Sequence, residues 1–223
     1  MTDIQVTYST DILCVWAYVS QVRIDEIRCN FAERVRVEHS YFPVFGNALE
    51  KIDTQWQEKG GRAAYGRHVQ GIVERFGHLP LADDLWLRDA PTSSVPAHLH
   101  LCAAQLLEAR EELPSGASAA LSWALRCAFF GGRVDISRRA NIAGVIEAQN
   151  LPVGLFDECI DSGSAFARLS EQTRHAFDNG IKVSPTLIFN QDRQRLSGNV
   201  GYRIIEANLR ELIESPDLRQ SWC

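Results

Sequence analysis

Cys14 lies within residues 10–18, between a short run in which apolar and polar residues alternate and a stretch with the pattern of a helix. Backbone N–H groups at a helix N-terminus, together with the aligned peptide dipoles, favour a thiolate over a thiol. A thiolate is the form of cysteine that attacks a disulfide sulfur. Cys14 is therefore the first candidate for a nucleophile, and the elements around it decide whether it is placed as one.

The segments on both sides of Cys14 have the patterns of regular structure. Apolar residues alternate with polar ones over residues 4–8, as in a half-buried strand. From Val15 to Phe31 apolar residues recur every three or four positions, which predicts a helix. Residues 35–41 alternate again, so the opening predicts strand, helix, strand.

A second region of interest lies near the other end of the chain. Pro185 stands at the entrance of an apolar run within residues 182–190, and proline suits this position because it cannot donate to a strand ladder. A weaker strand is predicted over residues 194–197. A closing helix follows, with three apolar residues on one face: Ile205, Leu209 and Leu212.

These parts resemble the thioredoxin-like superfamily in its DsbA-like branch. The active site of that branch usually reads Asp-x-x-Cys-Pro-Trp-Cys-Tyr. Four residues here hold matching places: Asp11, Cys14, Trp16 and Tyr18. Val15 replaces the proline of the motif, and Ala17 replaces its second cysteine.

The loop at residues 180–186 is similar to the family's Gly-Val-x-x-Val-Pro-Thr loop, whose cis-proline packs beside the nucleophilic sulfur. About 140 residues of mostly helical pattern separate the second strand from this loop. The resemblance implies an α/β, thioredoxin-like fold with a large all-helical insertion. We expect a thioredoxin-like domain at residues 1–47 plus 180–223 and an inserted subdomain at 48–179. Helices are predicted in the insertion at residues 54–76, 94–112, 117–130, 137–149, with Ser137 as N-cap, and 164–179.

The missing second cysteine determines the expected mechanism. In a Cys-x-x-Cys pair the second thiol attacks the mixed disulfide formed by the first, and Ala17 cannot do so. If the predicted helix is continuous, Cys29 lies about 22 Å further along it, beyond disulfide reach. The remaining cysteines have no spacing typical of a resolving thiol: Cys102, Cys127, Cys159 and the terminal Cys223. We therefore expect a thiol-disulfide oxidoreductase with one nucleophilic cysteine, whose mixed disulfide is resolved by an external thiol such as glutathione.

Two alternatives stay open. Kappa-class glutathione transferases and 2-hydroxychromene-2-carboxylate isomerases resemble DsbA-like proteins in layout and place a serine near the position of Cys14. The resemblance thus also allows a glutathione-dependent transferase or isomerase, although the cysteine here counts against it because sulfur is a weak hydrogen-bond donor. The second alternative is a catalytically retired site kept as a binding module. Glutathione is the expected co-substrate, with no tightly bound cofactor and no metal.

The resemblance also implies roles for the neighbours of Cys14. Trp16 would wall the sulfur and offer an apolar surface to a substrate. Pro185, if cis, would hold the backbone of Ser184 extended, so that it pairs with a substrate peptide or with the cysteinyl part of glutathione.

Charged and polar residues complete the predicted site. Asp11 lies close to the thiol, where a negative charge opposes thiolate formation. Asn199 and Arg203 are expected at the start of the last helix, where they would meet a carboxylate. His98 and His100 form no metal-ligand pattern and are interpreted as surface or capping residues.

Composition excludes several classes of function. The chain has 223 residues, 45% of them hydrophobic, and a formal net charge of −5, with no Lys/Arg-rich run, which argues against nucleic acid or an anionic membrane as partner. No apolar segment approaches the length of a membrane span. The N-terminus has no secretion-signal pattern and the six cysteines are scattered, so we expect a cytoplasmic protein. A homodimer is compatible with this architecture.

Overall fold

The computed structural model describes residues 4–215. A four-stranded sheet has the order β2-β1-β3-β4. Its strands are β1 (Ile4–Thr10), β2 (Val35–Tyr41), β3 (Thr186–Phe189) and β4 (Gln194–Ser197). Strands β1 and β2 are parallel, whereas β3 pairs antiparallel with both β1 and β4. The predicted strands are thus all present, and Pro185 directly precedes β3.

The helical stretch after Cys14 is interrupted. It forms α1 (Val15–Val19) and α2 (Gln21–Asn30), which are separated at Ser20. There the Arg23 N–H donates to the Ser20 carbonyl at 2.9 Å, so the sequence separation between donor and acceptor falls from four residues to three. The prediction of a single helix from Val15 to Phe31 is therefore wrong, and Val22, one of the apolar residues of that stretch, is 44% exposed.

Seven α-helices lie between β2 and β3, and one more follows β4 before residue 215. They are α3 (Ala48–Trp56), α4 (Gly61–Phe76), α5 (Val95–Ala109), α6 (Ala117–Phe130), α7 (Arg139–Ala148), α8 (Val153–Asp161), α9 (Ser164–Asp178) and α10 (Tyr202–Glu214). None of the helices within residues 4–215 is long and apolar enough to cross a membrane.

The predicted helices differ from the observed ones in three respects. The helix expected over residues 54–76 is split between α3 and α4, because Gly60 adopts φ +100°, outside the helical region. Helix α8 was not predicted. Ser137 does not cap α7, since the cap position is Arg138 and the Ser137 hydroxyl instead donates to Asp135.

Two hydrophobic cores meet at the Cys14 loop. The larger core joins α3–α9 to Ile12, Leu13 and Tyr18. The smaller core lies between the sheet, α2 and α10, and contains Cys14. The larger core contains residues from both sides of position 48, where the sequence predicts a domain boundary. The division into a domain at residues 1–47 plus 180–223 and a subdomain at 48–179 stays a prediction. Residues 216–223, including Cys223, lie outside the described part of the chain.

Candidate active site

Cys14 is the N-cap residue of α1, with extended backbone at φ −78° and ψ 115°. Its carbonyl accepts hydrogen bonds from the N–H groups of Ala17 and Tyr18, both at 3.1 Å. Its Sγ atom donates to the carbonyl of Ser184 at 3.1 Å, and only 6% of the residue is exposed. The thiol therefore lies where strand β1 passes into helix α1, as the sequence predicts, but in a covered position.

The loop before β3 holds the other side of the site. The Ser184–Pro185 peptide is cis. Ser184 Oγ accepts a hydrogen bond from the N–H of Asp11 at 2.9 Å and lies 3.3 Å from Thr10 Oγ1. The carbonyl of Pro185 accepts from Gly198 N–H at 2.7 Å. This loop is thus fixed both to the Cys14 loop and to the chain after β4.

Asp11 connects separate parts of the chain beneath the thiol. It is fully buried. Its Oδ1 accepts from Leu13 N–H, and its Oδ2 accepts from Phe45 N–H and from the Ser94 hydroxyl, all at 2.8 Å. Because these donors come from its own loop, from the chain after β2 and from the start of α5, Asp11 joins the sheet to the helical region.

Burial raises the pKa of the Cys14 thiol above its ordinary value. Hydrogen bonds from the Ser184 side chain and from the backbone of Ala17 and Trp16 lower it, whereas the Asp11 carboxylate raises it further. The expected helix-terminus effect is therefore present but outweighed. Helix α1 has only five residues, so its dipole is small, and the desolvated sulfur gains more from staying protonated.

His98 and His100 are not surface residues, contrary to the sequence interpretation, since they are 0% and 5% exposed. His98 Nε2 accepts a hydrogen bond from Ile12 N–H at 3.0 Å. Burial lowers the pKa of His98 to about 4, so it is neutral and does not form an ion pair with Asp11, 3.8 Å away. The signal that was missed is that α5 is apolar on all sides over residues 97–104, which is typical of a buried helix.

The structure brings together only part of the predicted substrate contacts. Trp16 is half-buried and packs against both hydrophobic cores beside Cys14. Asn199 is exposed and lies three residues before α10, where its Oδ1 accepts a hydrogen bond from Arg23. Arg203 is exposed in the first turn of α10, and no side-chain partner of it is found among residues 4–215.

Arg23 is a site residue that the sequence reasoning missed. It lines a small cavity of about 10 Å³ together with Pro185 and Tyr8. Its guanidinium also donates to Ser20 Oγ at 3.1 Å and lies 5.7 Å from the centre of the Phe76 ring. Within α2 it has the same sequence pattern as its charged neighbours, so only the fold reveals that it faces the Pro185 loop.

The other cysteines in residues 4–215 are free thiols. Cys29 is exposed at the end of α2, while Cys102 and Cys159 are buried. Burial raises the pKa of Cys102 to about 12. In the same part of the chain no group of three or more His, Cys, Asp or Glu residues is arranged to hold a metal ion.

A separate cleft of about 1100 Å³ lies between α2, β2, α5 and α6. Gln21, His39, Gln105 and Trp123 are among its lining residues, and none of the Cys14, Ser184 or Pro185 side chains contributes. This cleft is therefore separate from the Cys14 and Pro185 loops.

No protein-family model matches the sequence, and no curated protein matches it. Solved structures do match. A candidate protein disulfide isomerase from Nitrosomonas europaea has a TM-score of 0.76 at 17% identity, over 96% of this chain and 98% of that chain. The cytosolic disulfide reductase DsbM from Pseudomonas aeruginosa with GSH has a TM-score of 0.62 at 19% identity, over 92% and 99%. A 2-hydroxychromene-2-carboxylate isomerase has a TM-score of 0.65 at 15% identity, over 97% of this chain and 100% of that chain.

These similarities extend over nearly the whole chain, and the helices between β2 and β3 are consistent with them. The predicted fold is confirmed. The chain has the DsbA-like thioredoxin fold with a large helical insertion.

Proposed function

We propose that the protein is a glutathione-linked thiol-disulfide oxidoreductase in which Cys14 is the nucleophile. The observation that carries the proposal is the contact of Cys14 Sγ with the Ser184 carbonyl, 3.1 Å away, directly before Pro185. A thiol at the N-cap position of a helix that faces a neighbouring loop backbone can meet an incoming disulfide next to that backbone. With Ala17 in α1, the adduct has no thiol three residues away to resolve it.

The proposed reaction has three exchange steps. The Cys14 thiolate attacks one sulfur of a substrate disulfide, whose S–S bond breaks and releases the other sulfur as a thiolate. Glutathione thiolate then attacks the mixed disulfide. Its attack on the substrate sulfur regenerates the Cys14 thiolate and leaves a mixed disulfide between substrate and glutathione. A second glutathione thiolate attacks the glutathione sulfur of that disulfide, which releases the substrate thiol and forms glutathione disulfide. The net change reduces one disulfide and oxidises two glutathione molecules.

Polar groups near Pro185 support glutathione as the external thiol. Arg23 and Asn199 form a polar edge around the Pro185 loop, where a carboxylate-bearing thiol finds a cation. The structurally similar DsbM is a cytosolic disulfide reductase described with GSH. We infer a cytoplasmic setting for this chain as well, since glutathione is kept reduced there. A homodimer stays a prediction.

The proposal is tested with Cys14→Ser and, as matched control, Cys29→Ser, which removes an exposed thiol at the end of α2. We expect glutathione-dependent reduction of a small disulfide to be lost in the first variant and kept in the second. Mass spectrometry of the native protein treated with glutathione disulfide should find the adduct on Cys14. Equal turnover in both variants would rule out the proposal.

One observation favours a second candidate, a glutathione-dependent transferase or isomerase. The raised pKa of Cys14 keeps its thiol protonated at neutral pH, so it can donate a hydrogen bond to the sulfur of bound glutathione, as a serine would. The same Cys14→Ser variant separates the two, because the transferase or isomerase would retain its activity. A chain that neither turns over nor binds glutathione would be the retired binding module.

A further inference from the structure

Arg126 is a fully buried arginine in α6. Its Nη1 donates to Ser122 Oγ at 3.2 Å and its Nη2 to Thr10 Oγ1 at 3.1 Å. Its Nε has no hydrogen-bond partner, and none of its hydrogen bonds within residues 4–215 reaches a carboxylate. A buried cation held only by hydroxyl groups is costly, so its charge must be balanced from further away.

Thr10 links this guanidinium to the active-site loop. Its Oγ1 receives the hydrogen bond from Arg126, donates to the Asp11 carbonyl at 3.2 Å, and lies 3.3 Å from Ser184 Oγ. The carbonyl of Ser184 in turn accepts the thiol of Cys14. A continuous series of polar contacts thus leads from α6 in the helical region to the candidate nucleophile.

The charges in this interior are few. Asp11 accepts three hydrogen bonds through its carboxylate and donates none, the pattern of an ionised group. Burial lowers the pKa of His39 to about 3 and that of His98 to about 4, and it raises the pKa of each buried tyrosine and of Cys127. The groups that face Cys14 or Arg126 and stay uncharged at neutral pH are therefore Tyr8, His39, Tyr41, Tyr65, His98 and Cys127.

Asp11 and Arg126 are consequently the opposite charges of this fully buried region. Two half-buried arginines act on its edges, Arg23 on Tyr8 and Arg28 on His39 and Tyr41. When Cys14 loses its proton, the region gains a second negative charge beside Asp11. Arg126 is the fully buried cation able to offset it.

We propose that Arg126 is a positioning residue of the Cys14 site: it balances the buried Asp11 carboxylate, offsets the Cys14 thiolate, and holds Ser184 through Thr10. The inference rests on the proposed function in taking Cys14 as the reacting thiol. A residue of the helical insertion would then control how readily the thiol of the sheet domain reacts.

The test is the rate of Cys14 alkylation by iodoacetamide against pH, followed on the Cys14 peptide. Arg126→Gln removes the charge but can still donate to Thr10, whereas Arg126→Lys keeps the charge. We expect the glutamine variant to raise the apparent pKa of Cys14 by about one unit, a roughly tenfold slower reaction at neutral pH. The lysine variant should stay near the native profile, as should Arg75→Gln, the same change at an exposed position of α4.

The inference would be overturned if Cys14 in Arg126→Gln were alkylated with the pH profile of the native protein. It would also be overturned if the apparent pKa of Cys14 shifted equally in the glutamine and lysine variants. If Arg126→Gln does not fold, the double variant Asp11→Asn/Arg126→Gln decides, because it leaves no unbalanced buried charge. Recovery of folding in the double variant, followed by circular dichroism, supports the inference, and an unfolded double variant contradicts it.

Alkylation requires no turnover, so the two proposals fail separately. A native protein that alkylates at Cys14 but reduces no disulfide contradicts the proposed function and leaves the role of Arg126 intact. If the protein reduces disulfides but the pH profile of Cys14 alkylation is the same with and without Arg126, only the inference is contradicted.

Discussion

The Sγ atom of Cys14 donates a hydrogen bond to the carbonyl oxygen of Ser184, 170 residues further along the chain, over 3.1 Å. The antiparallel register of β1 and β3 causes this meeting, since it pairs Ser9 with Thr186 and so brings the two adjoining loops together. A thiol that donates is a protonated thiol. In the resting site the thiol is therefore engaged by the Ser184 carbonyl, and a reacting disulfide must replace that carbonyl as the partner of the sulfur.

The first prediction concerns the reactivity of this thiol. Burial raises the pKa of Cys14, so the thiolate fraction at pH 7 is below the few per cent of an ordinary cysteine. We expect alkylation of the Cys14 peptide to be slow at pH 7 and to increase steadily through pH 9 and above. The exposed Cys29 in the same digest reports on reagent quality. Rapid Cys14 alkylation at pH 6 would contradict this prediction.

The sequence predicted the parts of the site that depend on local pattern. Alternation located β1 and β2, and the proline at the entrance of an apolar run located the loop that faces Cys14. Asp11 was predicted to lie near the thiol and does, because it is three residues away on a tight turn closed by Cys14 N–H to the Asp11 carbonyl at 3.2 Å. These relationships are short in sequence or follow from strand pairing.

What the sequence did not predict depends on tertiary burial. The effect of Cys14 burial on its pKa, the neutral state of His98 and the position of Arg126 all arise where α5 and α6 pack against the active-site loop. Asn199 meets Arg23 from α2, a contact that no local pattern indicates. Helix packing across more than a hundred residues determines these environments, and residue spacing carries little information about it.

A second prediction concerns the support of the Ser184 loop. In Ser184→Ala the buried N–H of Asp11 loses the acceptor that lies 2.9 Å away, which should lower the free energy of unfolding by about 1–3 kcal/mol. The loss of the Ser184 hydroxyl should also raise the pKa of Cys14 further and slow its alkylation. Urea unfolding measures the first effect. Ser170→Ala, at an exposed position of α9, is the matched control and should change stability by less than about 0.5 kcal/mol.

A third prediction is that stability falls in mild acid. His98 and His39 have pKa values of about 4 and about 3 in the folded chain, against an ordinary value of 6.5, because burial opposes their charged forms. Between pH 6.5 and 4 the unfolded chain binds protons that the folded chain does not, so stability decreases as pH falls. Each histidine should cost about 2 kcal/mol between pH 7 and pH 5, measured by urea unfolding.

The variant His98→Gln separates this effect from general acid denaturation. The amide oxygen of glutamine can accept the Ile12 N–H that His98 Nε2 now accepts, but it does not titrate. We expect the difference in unfolding free energy between pH 7 and pH 5 to shrink by about 2 kcal/mol. An unchanged difference would show that His98 is not the neutral acceptor described above.

The last prediction distinguishes the cation found in the structure from the one expected from the sequence. Arg23 lines the cavity beside Pro185, whereas Arg203 is exposed on α10. If Arg23 meets a carboxylate of glutathione, Arg23→Gln should raise the KM for glutathione several-fold, since a charge-assisted hydrogen bond contributes about 1.5–3 kcal/mol and exposure reduces that. The rate with a neutral thiol such as mercaptoethanol should not change, because that thiol has no carboxylate. Arg203→Gln is the matched comparison: a larger KM effect there would favour the helix-terminus contact predicted from the sequence over the one that the fold brings to the Pro185 loop.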